Sequence, residues 1–290
     1  MAAGVLAEDG AATAGGPVLG DAEFQFLRDF VHRHCGIALG GQKRQLVQGR
    51  LLRRLRGLGL GDFRSYCELL RRDPDSELGD LASAISTNVT AFFREAHHYE
   101  LLECELLPRW LERKRRHGGR LRLWSAGCAT GEEPYALAMV LAEALAREAG
   151  AVDARILATD LSPQALAQAR RGVYALDRLG GIDEARRRRW LLRGSGEYEG
   201  YAAVHPRLRE LVSVLPLNLL HEWPMQGLFD AIFCRNVVIY FDQPTKRRLF
   251  ERYAAMLEPG GYLFLGHSES MHGLSDAFEL VGRTVYRKRA

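Results

Sequence analysis

The sequence predicts an α/β protein. A Rossmann-like, mainly parallel sheet domain carries an inserted small β-subdomain and is preceded by a small all-helical domain. Three observations lead there. Residues 21–84 show helical periodicity alone. From Arg120 onward, short apolar strands alternate with helices, the pattern of a doubly wound sheet. Between Gly172 and Val212 that alternation breaks around an Arg-rich helix and a Gly-punctuated stretch.

Residues 1–20 are mostly Ala and Gly with little to bury and are expected to form a disordered tail. Asp21 is placed to cap a first helix whose Phe24, Leu27, Phe30 and Val31 share one face. A second helix spans Lys43 to Leu58. At 100° per residue, Val47, Leu51, Leu52, Leu55 and Leu58 fall in one arc, and Lys43, Arg50, Arg53, Arg54 and Arg56 fill most of the other. Gly57, Gly59 and Gly61 stop it, and Asp62 caps the next helix.

A strand at Leu121–Trp124 runs through Gly127-Cys-Ala-Thr-Gly131 into a helix from Tyr135 to about Glu148. A second strand, Arg155 to Ala158, ends at Asp160. Ser162-Pro163 opens another helix with proline in its first turn. An Arg-rich helix follows at Asp183–Leu192. Further strands are expected at Leu211–Leu215, Phe229–Cys234 and Tyr262–Leu265. Phe278–Val281 and Thr284–Tyr286 read as a closing antiparallel hairpin. The domain organisation is therefore tail 1–20, helical domain 21–84 and sheet domain 85–290, with the insertion at about 172–212.

Composition narrows the function classes. With 290 residues, 47% hydrophobic and 26% charged, the chain can bury a sizeable core. Its net charge of +4 is too weak to name a nucleic-acid partner. No run approaches the roughly 18–20 apolar residues of a membrane helix. The N-terminus lacks the pattern of a signal peptide, so a cytoplasmic protein is expected. Five scattered cysteines without a C-x-x-C pair argue against a disulfide framework or a thiolate zinc site, and no metal is expected.

In doubly wound sheets ligands bind beyond the carboxyl ends of the strands, so those ends carry the chemistry. Gly127–Gly131 is G-x-x-x-G, neither a dinucleotide fingerprint nor a phosphate loop. Glu132 and Glu133 follow it. Carboxylates there would repel a pyrophosphate and attract a cation; the plain alternative is a tight turn with two helix-opening acids. Asp160 suits ribose hydroxyls, with helix capping as the rival role. Asn218-Leu219 and Arg235-Asn236 end two further strands. Together these ends describe an adenosyl pocket with a carboxylate-rich side, suited to the sulfonium of S-adenosylmethionine. Thr87–His98 lies between the helical segment and the sheet, where it can wall the pocket. Cys128 reads as packing, and His97 and His98 as surface or packing residues. The Asn/Asp-Pro-Pro-Tyr/Phe motif of DNA amine methyltransferases is missing after Phe229–Cys234.

Four stretches carry a resemblance: Thr87–His98, Trp124–Tyr135, Phe229–Phe241 and Gly266-His-Ser-Glu269. With the Lys43-Arg44 helix, they resemble the bacterial chemotaxis-receptor methyltransferase (CheR) family over nearly all of residues 21–287. The resemblance implies methyl transfer from S-adenosyl-L-methionine to glutamate side-chain carboxylates of methyl-accepting chemoreceptors. The products are glutamate methyl esters and S-adenosyl-L-homocysteine, and the service is sensory adaptation. It places cofactor contacts at Asn88, Thr90, Arg94, Glu133, Asp160, Asn218, Leu219, Arg235 and Asn236, with Glu132 as the alternative to Glu133. Arg94 and Tyr240 match positions near the transferred methyl. Arg94 either orients the substrate carboxylate or holds the cofactor's own; a structural ion pair with Glu95 or Glu133 is the bland alternative. Tyr240 either donates a hydrogen bond to the other carboxylate oxygen or packs on the adenine side, with a core ring as the bland alternative.

Partner expectations follow. The receptor's cytoplasmic helical bundle is Glu-rich, as the resemblance implies, and the basic face of Arg50, Arg53, Arg54 and Arg56 suits docking against it. Residues 21–72 hold 11 Lys/Arg against 5 Asp/Glu, net +6, while the remainder is net −2. The insertion, with Gly194, Gly196 and Gly200, resembles that of members binding a receptor C-terminal pentapeptide by strand addition. A monomer without nucleic-acid partners or membrane insertion is expected.

Overall fold

The computed structural model describes residues 16–86, 89–147 and 151–289. Four helices come first: α1 (Asp21–Cys35), α2 (Arg44–Leu58), α3 (Phe63–Arg72) and α4 (Pro74–Ile85). Their apolar faces meet in one core, where Leu27, Val31, Leu51, Tyr66 and Leu81 are fully buried. Asp62 caps α3 through the Ser65 amide. Asp21 does not cap α1; Gly20 occupies the cap position, and Asp21 instead pairs with Arg44 at 2.5 Å. The tail expected over 1–20 is also corrected at its end. Leu19 is buried in the helical core, and its amide donates to Gln48 Oε1 at 3.0 Å. Residues 1–15 lie outside the described residues.

A helical segment of α5 (Ala96–Leu101), a π-turn over Leu102–Leu106 and α6 (Leu107–His117) leads to the sheet domain. Its elements in order are β1 (Arg120–Ala126), α7 (Glu132–Arg147), β2 (Asp153–Asp160), α8 (Pro163–Arg171), β3 (Val173–Ala175), α9 (Glu184–Trp190), β4 (Leu191–Arg193), β5 (Tyr201–Val204), α10 (Pro206–Arg209), β6 (Val212–Pro216), β7 (Phe229–Cys234), α11 (Gln243–Met256), β8 (Leu257–Leu265), β9 (Phe278–Gly282) and β10 (Val285–Lys288). The seven-stranded sheet has the order β6-β2-β1-β7-β8-β10-β9. The first five strands pair in parallel, and β10 and β9 close the sheet antiparallel as a hairpin. β3, β5 and β4 form the separate antiparallel sheet of the insertion.

Three boundaries shift for local reasons. α7 begins at Glu132 rather than Tyr135, because Pro134 falls in the first turn, where its missing N–H costs nothing. β8 begins at Leu257, ahead of the expected Tyr262. Pro259-Gly260-Gly261 disguises its start, and the pairing with β7 slips there between Phe229 and Ala231. The Arg-rich helix stops at Trp190, with Asp183 as its cap, and Leu191–Arg193 turns into a strand.

The strand order reverses between β1 and β7, and a crevice opens at their carboxyl ends. The helical domain docks across that crevice. Ala38 N donates to Tyr240 O at 2.8 Å, and Ile37 bridges Phe241. The His32 ring contacts Asp242, the α11 cap, at 2.8 Å. These contacts turn two folding units into the two sides of one cavity.

Candidate active site

The cavity encloses about 330 Å³, within the range that holds a small-molecule cofactor. Sheet-domain strand ends form most of it. Cys35 at the end of α1 and Ile37 after it, with Ala82 and Ser83 on α4 and Ser86 just past it, complete the wall. Of the nine expected cofactor contacts, Asn88 lies outside the described residues. The other eight all line this cavity, as does Tyr240.

The glycine loop is shaped by packing as much as by ligand access. Gly127 has φ +91°, and an added Cβ would run into the Val237 side chain. Gly131 has φ +99°, and a Cβ there would lie 2.9 Å from Ala169 Cβ and 2.7 Å from the Tyr174 hydroxyl. The loop therefore needs glycine for left-handed backbone and for protein contact. Cys128 is buried, which pushes its thiol well above the ordinary range and leaves it a packing group.

The two acids after the loop separate. Glu132 is fully buried and faces the insertion, pairing with Arg178 at 2.5 Å and accepting from Thr130 Oγ1 at 2.6 Å. Glu133 lines the cavity. Its Oε1 accepts from Ser125 Oγ at 2.7 Å, and Oε2 lies 3.2 Å from Arg235 Nη1. Burial raises its pKa against the pull of Arg235 and Ser125. Asp160 Oδ2 accepts from Ala129 N at 2.8 Å and Oδ1 from Ser162 N at 2.9 Å. It thereby ties the glycine loop to the start of α8, whose cap is Ser162 itself. Burial raises the Asp160 pKa against those amides. A carboxylate offers about four acceptor sites, so acceptor capacity remains for a ligand hydroxyl.

Arg235 is the hub of the site, with its side chain 2% exposed. Besides Glu133 it reaches Glu95 Oε2 at 3.3 Å, the Tyr99 hydroxyl at 3.2 Å and the Arg94 carbonyl. Asn236 has φ +60°, and its amide donates to Glu269 Oε2 at 2.8 Å. Gly266 makes room for it: a Cβ there would sit 2.5 Å from Asn236 Nδ2. Glu269 also accepts from Ile239 N at 3.1 Å and Gly266 N at 2.6 Å, so one buried carboxylate braces the whole 235–240 turn. Burial raises its pKa against these amides. Asn218 donates to the His34 carbonyl at 2.7 Å and accepts from Leu220 N at 3.0 Å, fastening α1 to the end of β6.

Arg94 lines the cavity and donates to Val89 O at 3.1 Å. Among the described residues it pairs with no carboxylate; the structural partner of Glu95 and Glu133 is Arg235. Thr90 stands beside it, its carbonyl 3.4 Å from Arg178. Tyr240 is half-buried against the helical core. His98 is fully buried and sits 3.1 Å from the Arg283 carbonyl, with burial bringing its pKa down to about 4.

The basic face of α2 divides. Arg50 donates to Ile85 O at 2.6 Å and Ser86 O at 3.0 Å, closing the end of α4. Arg54 is held by Glu77 and Asp80, each at 2.5 Å. Only Arg53 and Arg56 of the expected four are exposed. Residues missed in the sequence were Ser125, the role of Glu95 and the helical-domain wall. Ser125 sits within a buried apolar strand, and Ile37, Ala82 and Ser83 read as ordinary helix-domain residues. No local pattern marks any of them.

The donor set fits an adenosyl cofactor that carries both signs of charge. Glu133 and Asp160 present carboxylates for cations and hydroxyls, Arg94 a guanidinium for a carboxylate, and Leu161, Leu217, Leu219 and Val237 an apolar bed for a base. With the sheet order, this defines an S-adenosylmethionine-dependent methyltransferase. Comparison with known proteins makes the assignment specific. Residues 88–287 match the CheR methyltransferase, SAM binding domain, and residues 22–86 the CheR methyltransferase, all-alpha domain. The chain is 43% identical to a chemotaxis protein methyltransferase of Klebsiella aerogenes over 92% of its own length and 90% of that protein. It is 42% identical to that of Escherichia coli (92% and 91%) and 46% identical to chemotaxis protein methyltransferase 2 of Pseudomonas aeruginosa (93% and 96%). The chain belongs to the CheR methyltransferase family. No described helix is long and apolar enough to cross a membrane.

Proposed function

We propose that the chain methylates glutamate side-chain carboxylates of methyl-accepting chemoreceptors. The observation that carries this reading is Arg94, a cavity-lining guanidinium with no carboxylate partner among the described residues. The names of the relatives support the receptor as substrate. Bound S-adenosylmethionine supplies an electrophilic methyl on a positive sulfur. A glutamate carboxylate has a pKa of about 4.3 and is ionised at neutral pH, so no proton must be removed before transfer. The chain's tasks are then to orient, desolvate and exclude water. Arg94 and Tyr240 act at the transferred methyl, and Arg94 aligns a carboxylate there. Such a cofactor would supply the methyl to one carboxylate oxygen and keep the bonding electron pair on its sulfur, which leaves as S-adenosylhomocysteine.

Thr90, Glu133, Asp160, Asn218, Leu219, Arg235, Asn236 and Asn88 hold the cofactor in this reading. Arg53 and Arg56 meet the Glu-rich receptor bundle. The insertion accepts a receptor C-terminal pentapeptide at an edge of its small sheet; exposed Leu192 and Tyr201 beside that edge support it. The protein works as a cytoplasmic monomer, with the helical domain ahead of residue 85. The test is transfer of labelled methyl to membranes bearing a chemoreceptor, followed by base treatment. Methyl esters release methanol in alkali, whereas N-methyl groups do not, so base-stable label refutes the carboxylate assignment.

A further inference from the structure

Glu95 has no task in the transfer itself, yet it is among the most engaged side chains near the cavity. It stands at φ +59°, a left-handed conformation that non-glycine residues rarely adopt, and Phe93, on the other side of Arg94, stands at φ +52°. Its side chain is 9% exposed. Oε1 accepts from the His267 amide at 2.9 Å and meets His267 Nδ1 at 2.9 Å. Oε2 meets Arg235 Nε at 3.3 Å, while His98 Nδ1 lies 3.5 Å away and makes no hydrogen bond. Those donors come from two places, the end of β7 and the end of β8. Arg235 closes the loop by donating to the Arg94 carbonyl. Arg94 is therefore held at its own carbonyl and through the residue that follows it, while its side chain has one backbone acceptor among the described residues, Val89 O.

We infer that Glu95 is a positioning residue: it locks Arg94 onto the two strand ends so that the guanidinium is held in the cavity. This rests on the proposed role of Arg94 at the reacting carboxylate. A guanidinium on a long side chain loses most of its aligning value unless its backbone is fixed. The Glu95 clasp supplies that fixing through charge-assisted bonds from the ends of two sheet strands.

A double-mutant cycle on the full-length protein tests it, with initial rates of methyl transfer to chemoreceptor-bearing membranes at saturating cofactor. Glu95→Gln lowers kcat about tenfold, within the coupling expected for residues in one network. In the Arg94→Ala background the same change lowers kcat less than twofold, because there is no guanidinium left to place. Melting temperature and the affinity for S-adenosylhomocysteine are followed for every variant. Should Glu95→Gln fold poorly, His267→Ala serves instead. Its ring is 65% exposed and its loss removes only the Nδ1 contact, giving a two- to threefold fall in kcat that again vanishes with Arg94→Ala. Equal losses in both backgrounds overturn the inference, since a generally structural role is blind to Arg94. Wild type without base-labile product overturns the proposed function instead, so the two failures are distinct.

Discussion

Arg54 offers the sharpest test of how the basic helix is used. From the sequence it belongs with Arg53 on a docking face, whereas the structure spends it inside the helical domain. Nε and Nη2 meet Glu77 Oε2 and Oε1 at 2.8 and 2.5 Å, and Nη2 also reaches Asp80 at 2.5 Å. Glu77 is 5% exposed, so Arg54→Ala strands a buried carboxylate beside a second acid. Breaking a fully buried pair costs roughly 3–5 kcal/mol, and an exposed pair about 0–1. Arg54 itself remains 28% exposed, so water re-enters in part, and about 2 kcal/mol is the expected loss. At roughly 2–4 °C per kcal/mol for a chain of this size, the melting temperature falls by about 4–8 °C. Arg53→Ala, on the exposed side, stays within about 0.5 kcal/mol. Parallel thermal unfolding of the two variants by circular dichroism decides the matter. A melting point within 1 °C of wild type for Arg54→Ala would refute the reasoning.

Other consequences follow from the same contacts. Arg53→Glu combined with Arg56→Glu lowers receptor methylation at low salt while melting temperature and S-adenosylhomocysteine affinity hold; weakened affinity in calorimetry would count against a docking role. His98 titrates near 4 in the folded chain and near 6.5 unfolded, so its neutral form favours folding above pH 6.5 and that contribution drains away as pH falls toward 4. The His98 share of that change, about 2–3 kcal/mol, is read as the difference between wild type and His98→Gln in the fall of urea stability across the window. Gly127→Ala demands a strained φ and meets Val237, costing about 2 kcal/mol or more, with Val237→Ala restoring part of the loss in thermal melts. Asp160→Ala removes two amide acceptors and the ligand-facing oxygens, and weakens S-adenosylhomocysteine binding at least about tenfold in calorimetric titration.

The legible parts share a physical character. β1 and β7 are buried on both faces, so they appear in the sequence as apolar runs that end in small or polar residues. Because such strands end at one edge of the sheet, Asp160, Asn218 and Arg235 could be placed at the cavity from position alone. Turn and cap chemistry is equally local, as Asp62, Ser162 and Asp183 demonstrate. What escaped were partnerships across long separations. Arg235 binds a carboxylate 140 residues away, and Asn218 a carbonyl 184 residues away. Neither carries a spacing that a reader of the chain could count.

The same division explains the arginines and acids that changed meaning. Helical periodicity puts Arg50, Arg53, Arg54 and Arg56 on one polar arc, and that arc follows from backbone geometry alone. Whether a guanidinium on it meets water or a neighbour depends on where α4 lies, and α4 claims Arg50 and Arg54. Glu132 and Glu133 are adjacent and chemically identical, yet helix geometry sends one toward Arg178 in the insertion and the other into the cavity. Sheet class, strand ends and cofactor chemistry were written in residue order, because period, burial and turn preference are short-range properties. The cavity's second wall, the Glu95 clasp and the choice of exposed charges arise only when the helical domain and the strand ends come together, because pairing energies depend on distance through space.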